Sequence, residues 1–553
     1  MIIGLDVGGT HIDAVIVSRK KIIKTVKKPV SFKALEETIL HVLDLLLENI
    51  DPLNIKQINL STTIITNAIV LNQVNEVGLI LQSGPGVNLS QFKTKNTVFL
   101  SGATDHRGIV VRDYDYAELE QAIELFKRNN IKDIAVATKF AIRNPETEQA
   151  IKSDLKNTFR HVTLSHTVSG LLNYPRRLTT AKLNASVHSQ FSDFYARIVR
   201  SLKEKNVNAP IYILKADGGL LSLEAARKHP VQTILSGPAA SLNGFLALFD
   251  LRQDAVSLDI GGTTTDIFIV ADGDSLFEPL GATINGQKTL IRALYSKSIA
   301  LGGDSQIKVS NGTLTIGPLR QGEPYALGGP VLTLTDAFIY LNRLQVGDKV
   351  RAKEAIGKVA QELRLTTKET ALKIIEEFTL RLKQEVDLVV AEVNNKPVYT
   401  IKELLADKMI RPETINIIGG PAKLLERSIQ QHFKLVTVYP KHFALANAIG
   451  AALSKVTAVV NVHADTSKGR LTVAELSLTD IISRDFTLSA AKRYAHTALE
   501  TLTKSKLSSE DVEIVEESAF NMIDGFYTKG KNIRVKAQVK PGLIYKLVGE
   551  KDA

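Results

Sequence analysis

The chain has 553 residues, 44% apolar and 23% charged, with a formal net charge of +11; that length exceeds one hydrophobic core and calls for roughly three or four folding units. It has no cysteine, which excludes disulfides, a thiol nucleophile, cysteine-held zinc and iron–sulfur clusters. The lysines are dispersed, aromatics are 6% and tryptophan is absent, which argues against a nucleic-acid partner, and with no apolar run near ~18 residues and no signal-peptide pattern the expected location is the cytoplasm, off the membrane.

In chain order, "IIGLDV" and "DAVIVS" read as two strands joined at "GGTHI". "SRKKIIKTVKK" alternates basic and apolar residues and predicts a solvated edge strand. "LEETILHVLDLLLENI" has helical spacing, "IKDIAVAT" reads as a strand, and "NPETEQAIKSDLKNTF" as a helix entered through Asn-Pro. "QFSDFYARIVRSLKEKN" is a further helix, followed by the strand "PIYILKADGG" and a helix starting just after Ser236-Gly237-Pro238. Residues 346–395 are helix-rich, and then come the strand "INIIGG" and the helix "ALANAIGAALSKV". This alternation predicts an α/β protein. After about residue 456 the pattern changes to a compact βαβ-like tail.

One frame occurs twice. "GLDVGGTHIDAVIV" and "SLDIGGTTTDIFIV" share D-[VI]-G-G-T-x-x-D followed by an apolar strand, so Asp6 corresponds to Asp259 and Asp13 to Asp266, an offset of 259 − 6 = 253 residues. A frame that recurs once, far apart, predicts two similar lobes and not a solenoid. Glycines let a backbone approach a ligand closely, and successive N–H groups in a tight turn form an anion-binding nest. Thr10 and Thr263–Thr265 add hydroxyl donors, and Asp6 and Asp259, at strand ends, can hold Mg²⁺ through water. A single turn of this kind is equally at home as a plain hairpin; two in the same frame would grip a polyphosphate from both sides. In "INIIGGPAKLL" a strand ends in Gly419-Gly420-Pro421 before a helix, a shape that suits an adenine and ribose on a flat glycine turn.

The order DxGGT, DxGGTxxD, GGPA and then "ANAIGAAL" resembles the actin/Hsp70/sugar-kinase ATPase superfamily. "STTIITNAIV", "KADGGLLSLEAARKHPVQTILSGPAAS", "GGDSQIKVSNGTLTIGP" and "LGGPVLTLTDA" are similar to the hydantoinase A/oxoprolinase family, over about residues 1–455. The resemblance implies a two-lobed actin-like ATPase, with ribonuclease H-like lobes around a nucleotide cleft, plus a small α+β C-terminal domain. It divides the chain into an N-terminal region at 1–175, an ATPase lobe at 176–455 and the tail at 456–553. It implies ATP and Mg²⁺, with Asp6, Gly8, Gly9 and Thr10 as first phosphate loop, Asp259, Gly261, Gly262, Thr263 and Asp266 as second, and Gly419, Gly420 and Pro421 as adenosine loop. Asp6 and Asp259 are the metal carboxylates. Asp13 or Asp266 is expected to orient the attacking oxygen or water, and Asp304 or Asp336 is a candidate second metal ligand or base, each with a turn role as its counter-reading. Gly302, Gly303 and Ser305 line the same interlobe region. Ser236, Gly237 and Pro238 open a helix whose N-terminus favours anions or serves packing, and Asp217 either binds substrate or shapes its turn.

The activity implied is ATP-dependent hydrolysis of a cyclic amide of hydantoin or 5-oxoproline type, with a hydantoinase-B-like partner subunit and room for oligomerisation. The alternatives are a carboxylase- or kinase-type subunit, or a nucleotide-gated regulator without hydrolase activity. This sequence departs from the family pattern in three places: Leu60 and Ser61 stand where a histidine is usual, "TKFAIRN" replaces another, and the stretch before the TDA motif shortens to "GEPYALGGP". These changes are expected near the substrate, away from the nucleotide loops. His11, His106 and His442 remain, and a lone histidine is more often a packed or surface residue than a ligand.

Overall fold

The computed structural model describes residues 1–30, 35–88, 90–310, 312–318, 321–395 and 409–547; Asn311, within "GGDSQIKVSNGTLTIGP", lies outside them. β1 (Ile2–Val7) and β2 (His11–Ser18) form an antiparallel hairpin around the first D-x-G-G-T turn, and β3 (Lys21–Pro29) joins β2 as the sheet edge. α1 (Leu35–Leu47) buries Leu35, Ile39, Val42, Leu43 and Leu46 at helical spacing beneath that hairpin. β4 (Gln57–Thr62) runs parallel to β1 and leads into α2 (Ile64–Val70).

The chain then leaves this sheet and builds a smaller, all-parallel one from β5 (Val77–Gln82), β6 (Thr97–Phe99), β7 (Asp133–Thr138) and β8 (His161–Leu164), in the order β8-β7-β5-β6. α3 (Tyr116–Arg128) and α4 (Glu146–Leu155) are its crossover helices. α5 (Tyr174–Glu204) has 31 residues, about 46 Å of helix. Its first half, from Tyr174 to Ala185, packs on the four-stranded sheet; its second half, from Val187 to Leu202, packs in the core of the first sheet. β9 (Ile211–Leu214) and β10 (Leu220–Ser222) complete that first sheet in the order β10-β9-β4-β1-β2-β3.

After α6 (Ser236–Leu248) the hairpin is repeated: β11 (Ala255–Ile260) and β12 (Thr265–Ala271) enclose the second turn, and β13 (Asp274–Ser275) and β14 (Lys297–Ile299) both pair with β12. α7 (Leu334–Tyr340), α8 (Lys349–Leu363) and α9 (Thr367–Asn394) cover this half. β15 (Thr414–Ile418) lies parallel to β11, and β16 (Val436–Val438) parallel to β15, giving β13-β12-β11-β15-β16. Counted from the hairpin's first strand, both halves share the order third, second, first, then two parallel strands.

α10 (Ala422–Phe433) follows β15, and α11 (Ala446–Leu453) closes the repeat. α6 and α11 are exchanged between the halves. α6 sets Phe245 against Phe268 of the second sheet, whereas α11 sets Ala448 and Ala452 against the first sheet. The contact is close enough to require glycine. A Cβ on Gly4 would lie 2.1 Å from the Ala448 carbonyl oxygen, one on Gly244 2.4 Å from that of Ala446, and one on Gly450 2.1 Å from that of Ala240.

The tail is not βαβ. β17 (Val459–Asp465), β18 (Arg470–Val473) and β19 (Leu478–Ile481) precede α12 (Leu488–Thr503), and a long hairpin of β20 (Val512–Asp524) and β21 (Tyr527–Val539) follows. The sheet is antiparallel throughout, in the order β19-β18-β17-β21-β20. Ala491, Ala495 and Leu499 of α12 pack on Val460, Val462, Ile533 and Val535, so one face of the sheet is apolar and covered.

Candidate functional site

Both repeated turns have the same construction. In the first, the Gly8 amide donates to the His11 carbonyl at 3.0 Å; in the second, the Gly261 amide donates to the Thr264 carbonyl at 2.9 Å. Asp6 stands directly across from Asp13, and Asp259 across from Asp266, so each pair shares one face of its hairpin. Beyond the closing bond, the amides of Gly9, Thr10, Gly262 and Thr263 donate to no protein acceptor among the described residues. Each turn is thus a short nest of open N–H groups beside a carboxylate pair.

The two pairs interact across the cleft between the halves. Burial first, then the charges of Asp13 and Asp259, push Asp6 up to about 7 against the opposing pull of its Ser61 hydrogen bond and of Lys27. Burial and the Asp259 charge push Asp266 up to about 7 as well. Asp13 is raised by burial and by Asp259 but held back by Lys27, whose Nζ lies 2.8 Å from Asp13 Oδ2. Asp259 is raised by burial, opposed by hydrogen bonds from Ser241 Oγ at 2.6 Å and Asn447 Nδ2 at 3.1 Å. Ser241 lies on α6 and Asn447 on α11, so both exchanged helices reach this carboxylate.

Two further loops converge on the second turn. The amides of Gly303 and Asp304 donate to the Gly261 and Gly262 carbonyls at 2.9 and 2.7 Å. Asp304 Oδ1 accepts from Thr335 Oγ1 at 3.0 Å, and its Oδ2 lies 2.9 Å from where a Gly262 Cβ would be, so Asp304 is fixed beneath the second turn. Gly302 and Ser305 close the same loop through Ser305 Oγ, which accepts from the Gly302 amide at 2.9 Å. Gly419 has φ +93°, and a Cβ there would lie 2.2 Å from the Ile260 carbonyl oxygen and 2.8 Å from Asp259 Oδ1. A side chain is therefore excluded on grounds of both conformation and space. Gly420 faces open space, and Pro421 touches the position of a Gly303 Cβ at 3.1 Å.

Several candidates are engaged elsewhere. Asp336 is fully buried and accepts from the Ala326 and Thr333 amides at 2.6 and 2.8 Å and from Thr333 Oγ1 at 2.9 Å; it caps α7 and anchors the 325–326 loop. Asp217 accepts from Lys215 Nζ at 3.1 Å and from the Gly219 amide at 3.0 Å, which shapes its own turn. Thr265, expected as a phosphate donor with Thr263, is buried and donates to the Leu301 carbonyl at 2.6 Å. Its strand parity points it away from the face shared by Asp259 and Asp266. The helix near Ser236 begins at Ser236 itself, whose hydroxyl donates to the Thr62 carbonyl at 2.7 Å, while a Cβ on Gly237 would meet Thr63 at 3.0 Å; this helix start docks on the end of β4. His106 is exposed, and His11 hydrogen-bonds with the Thr10 hydroxyl at 3.1 Å.

Two neighbours of these carboxylates are not legible in the sequence alone. Lys27 stands in a lysine-rich edge strand, and only the fold shows it meeting Asp13 and the Ala444 carbonyl, the latter at 3.2 Å. Ser61, one of the departures expected near the substrate, lies beside Asp6 in register and donates to Asp6 Oδ1 at 2.6 Å. That departure therefore reaches the Asp6 carboxylate.

Among the described residues, no three acidic or histidine groups are gathered tightly enough to ligate a metal by themselves. Mg²⁺ keeps several waters and takes few protein ligands, so two opposed carboxylates beside phosphate-binding turns fit a hydrated Mg²⁺–polyphosphate. Asp13 Oδ1, buried and without a hydrogen-bond partner, is a further polar atom that such a ligand would satisfy. None of the described helices is long and apolar enough to cross a membrane.

Residues 2–159 match the model of the hydantoinase/oxoprolinase N-terminal region, and residues 177–460 that of hydantoinase/oxoprolinase. The chain is 25% identical over 284 residues to caprolactamase subunit alpha of Pseudomonas jessenii, 47% of this chain and 40% of that protein. It is 25% identical over 294 residues to the acetophenone carboxylase gamma subunit of Aromatoleum aromaticum, 48% of this chain and 40% of that protein. The match thus spans 40% of the length of each of these curated relatives. The crystal structure of the ATP-dependent caprolactamase from P. jessenii superposes with a TM-score of 0.71 at 17% identity, covering 100% of this chain and 89% of that one. The two-lobed α/β fold expected from the sequence is the fold observed.

Proposed function

This chain belongs to the hydantoinase/oxoprolinase family, and on that premise we propose that it is the ATP-dependent subunit of a cyclic-amide hydrolase, acting on a hydantoin- or 5-oxoproline-type ring. The observation that carries this reading is the pair of D-x-G-G-T turns opposed across one cleft, with Asp259 near enough to raise the proton affinity of both Asp6 and Asp13. A lactam carbonyl resists water because the ring nitrogen's lone pair delocalises onto it. Bound Mg·ATP supplies the phosphoryl group that turns the amide oxygen into a leaving group.

The residues supply position and charge. The open amides of Gly9, Thr10, Gly262 and Thr263 would take phosphate oxygens from both sides, and Asp6 and Asp259 would hold the hydrated metal. Gly419–Pro421 would hold the adenosine. Lys27 pairs with Asp13 and opposes the rise in proton affinity that burial imposes on it. Asp266, with a proton affinity near neutrality, is suited to accepting a proton and releasing it again. Asp304 braces the second turn and stands next to it as base or ligand. A hydantoinase-B-like partner completes ring opening, in keeping with the naming of the relatives as subunits. The carboxylase relative supports a second reading, in which the phosphoryl acceptor is another carbonyl-type oxygen.

The test is ADP release by the purified chain, with and without a candidate partner, across caprolactam, 5-oxoproline, hydantoin and a ketone with bicarbonate. Stimulation by a cyclic amide supports the hydrolase, and stimulation only by the ketone supports the carboxylase. Asp259→Asn is expected to lower turnover at least ~100-fold while the chain stays folded. Mg·ATP binding without stimulation by any acceptor sinks the enzyme reading, and full turnover in Asp259→Asn sinks the site assignment.

A further inference from the structure

The C-terminal sheet has one apolar face, covered by α12, and one polar face turned toward the four-stranded unit. Arg470 reaches across to Asn144 Oδ1 at 3.5 Å and Glu146 Oε1 at 3.3 Å, and Lys468 donates to the Arg107 carbonyl. In register, Thr472 of β18, His463 of β17 and Arg534 of β21 are direct neighbours across three adjacent strands. Residues opposite one another in antiparallel strands share a face. Because Val462, Ile533 and Val535 point to α12, this row points the other way.

Arg143, from the "TKFAIRN" segment after β7, completes the group. Burial and the Arg534 charge hold its guanidinium below the ordinary value against the opposing pull of Asp465 and Asp105, and burial with the Arg143 and Arg534 charges brings His463 down to about 4 against Asn532 and Asp465. The neighbouring acids are already engaged. Asp465 accepts from the Ser467 amide and hydroxyl and the Lys468 amide, and Asp105 accepts from the Arg107 side chain and from the Arg107 and Ile109 amides. Among the described residues, the side chains of Arg143 and Arg534 form neither a hydrogen bond nor an ion pair. Thr472 is 4% exposed and its hydroxyl oxygen has no partner.

Two half-buried guanidinium groups with neither a hydrogen bond nor an ion pair of their own repel one another more strongly than they would in water. Their fork geometry is made for oxyanions. We propose that this junction is a binding site for a small oxyanion, a phosphate or carboxylate group, held between Arg143 and Arg534 with the Thr472 hydroxyl as a further donor. The site joins the C-terminal sheet to the four-stranded unit and is separate from the nucleotide turns, so an anion bound there braces the tail against the body.

The experiment titrates the full chain with inorganic phosphate and, separately, with glutarate, at constant ionic strength set by chloride. Calorimetry and thermal unfolding are the readouts, in the wild type, in Arg143→Gln/Arg534→Gln and in Thr472→Val. The wild type is expected to bind one of the two anions saturably, and the preferred one names the ligand class. Affinity is expected to fall at least tenfold in the double variant and several-fold in Thr472→Val. Without anion, both variants are expected to unfold at or above the wild-type temperature, because each removes repulsion or an unpaired hydroxyl. Absence of saturable binding of either anion overturns the proposal. So does binding that is unchanged in the double variant, which locates the anion in the nucleotide cleft, or a double variant that is less stable without anion, which makes the arginines structural.

Discussion

Replacing Gly450 by alanine sets two opposing effects against each other. In an exposed helix the change gains about 1 kcal/mol through helix propensity. Here the new Cβ would lie 2.1 Å from the Ala240 carbonyl oxygen, 2.5 Å from the Gly244 amide nitrogen and 3.0 Å from the Asn243 carbonyl carbon, all of them backbone. Ordinary contact begins at 3.4 Å, so α6 and α11 have to part by 3.4 − 2.1 = 1.3 Å at their crossing. Overpacking of this kind costs about 1–3 kcal/mol, and parting the helices also loosens Ala446 and Ala448 in the cores they share. The net expectation is a loss of about 1–2 kcal/mol, opposite in sign to propensity. Gly357 in α8 is the control, since its Cβ would meet nothing within 4 Å; Gly357→Ala is expected to gain up to about 1 kcal/mol. Urea denaturation followed by circular dichroism, comparing transition midpoints, separates the two. If Gly450→Ala raises the midpoint as Gly357→Ala does, the close helix crossing is wrong.

Asp266, with its proton affinity raised from 3.8 to about 7, keeps its proton longer in the folded than in the unfolded chain. The stability this contributes is present below pH 3.8 and is lost as pH rises toward 7. Asp266→Asn is therefore expected to stabilise the nucleotide-free chain by roughly 1–2 kcal/mol at pH 8 and by little at pH 4, after allowance for screening of a half-buried group; urea midpoints that shift equally at both pH values contradict the shift. Glu148 is fully buried and accepts from the Thr138 and His166 amides, Ser165 Oγ and His166 Nδ1, at 2.5–3.1 Å. Glu148→Gln removes the charge and turns an NH₂ toward donors, with an expected loss of about 3–5 kcal/mol by chemical denaturation; a loss under about 1 kcal/mol shows that the network does not anchor the four-stranded unit.

The two glycine turns are legible in the sequence because their signal is local. Glycines between alternating apolar runs specify a hairpin, and the recurrence of both aspartates specifies which residues share its face. Parity would also have removed Thr265, which registers opposite Ile260 while Asp266 registers opposite Asp259. Lys27 was not readable, since it is one of several lysines in an edge strand and acquires its role only when the sheet sets it across from Asp13. Ser61 was legible as a departure but not as a contact of Asp6, because β4 reaches β1 across more than fifty residues of sequence. The β20–β21 hairpin was missed because "VEIVEESAFNMID" lacks clean alternation; this edge strand leaves Val515, Phe520 and Ile523 exposed.

Asp259 ends in a mechanical joint. Its Oδ2 takes one hydrogen bond from Ser241 and another from Asn447, and those residues ride on the two helices exchanged between the halves. A rotation that separates these helices withdraws both donors from the oxygen, and a buried carboxylate that loses its donors takes up a proton more readily. The angle between the lobes and the ionisation of Asp259 are in this sense a single coordinate. A lobe that swings open would favour a neutral Asp259, and the cation proposed to sit there would favour the closed joint.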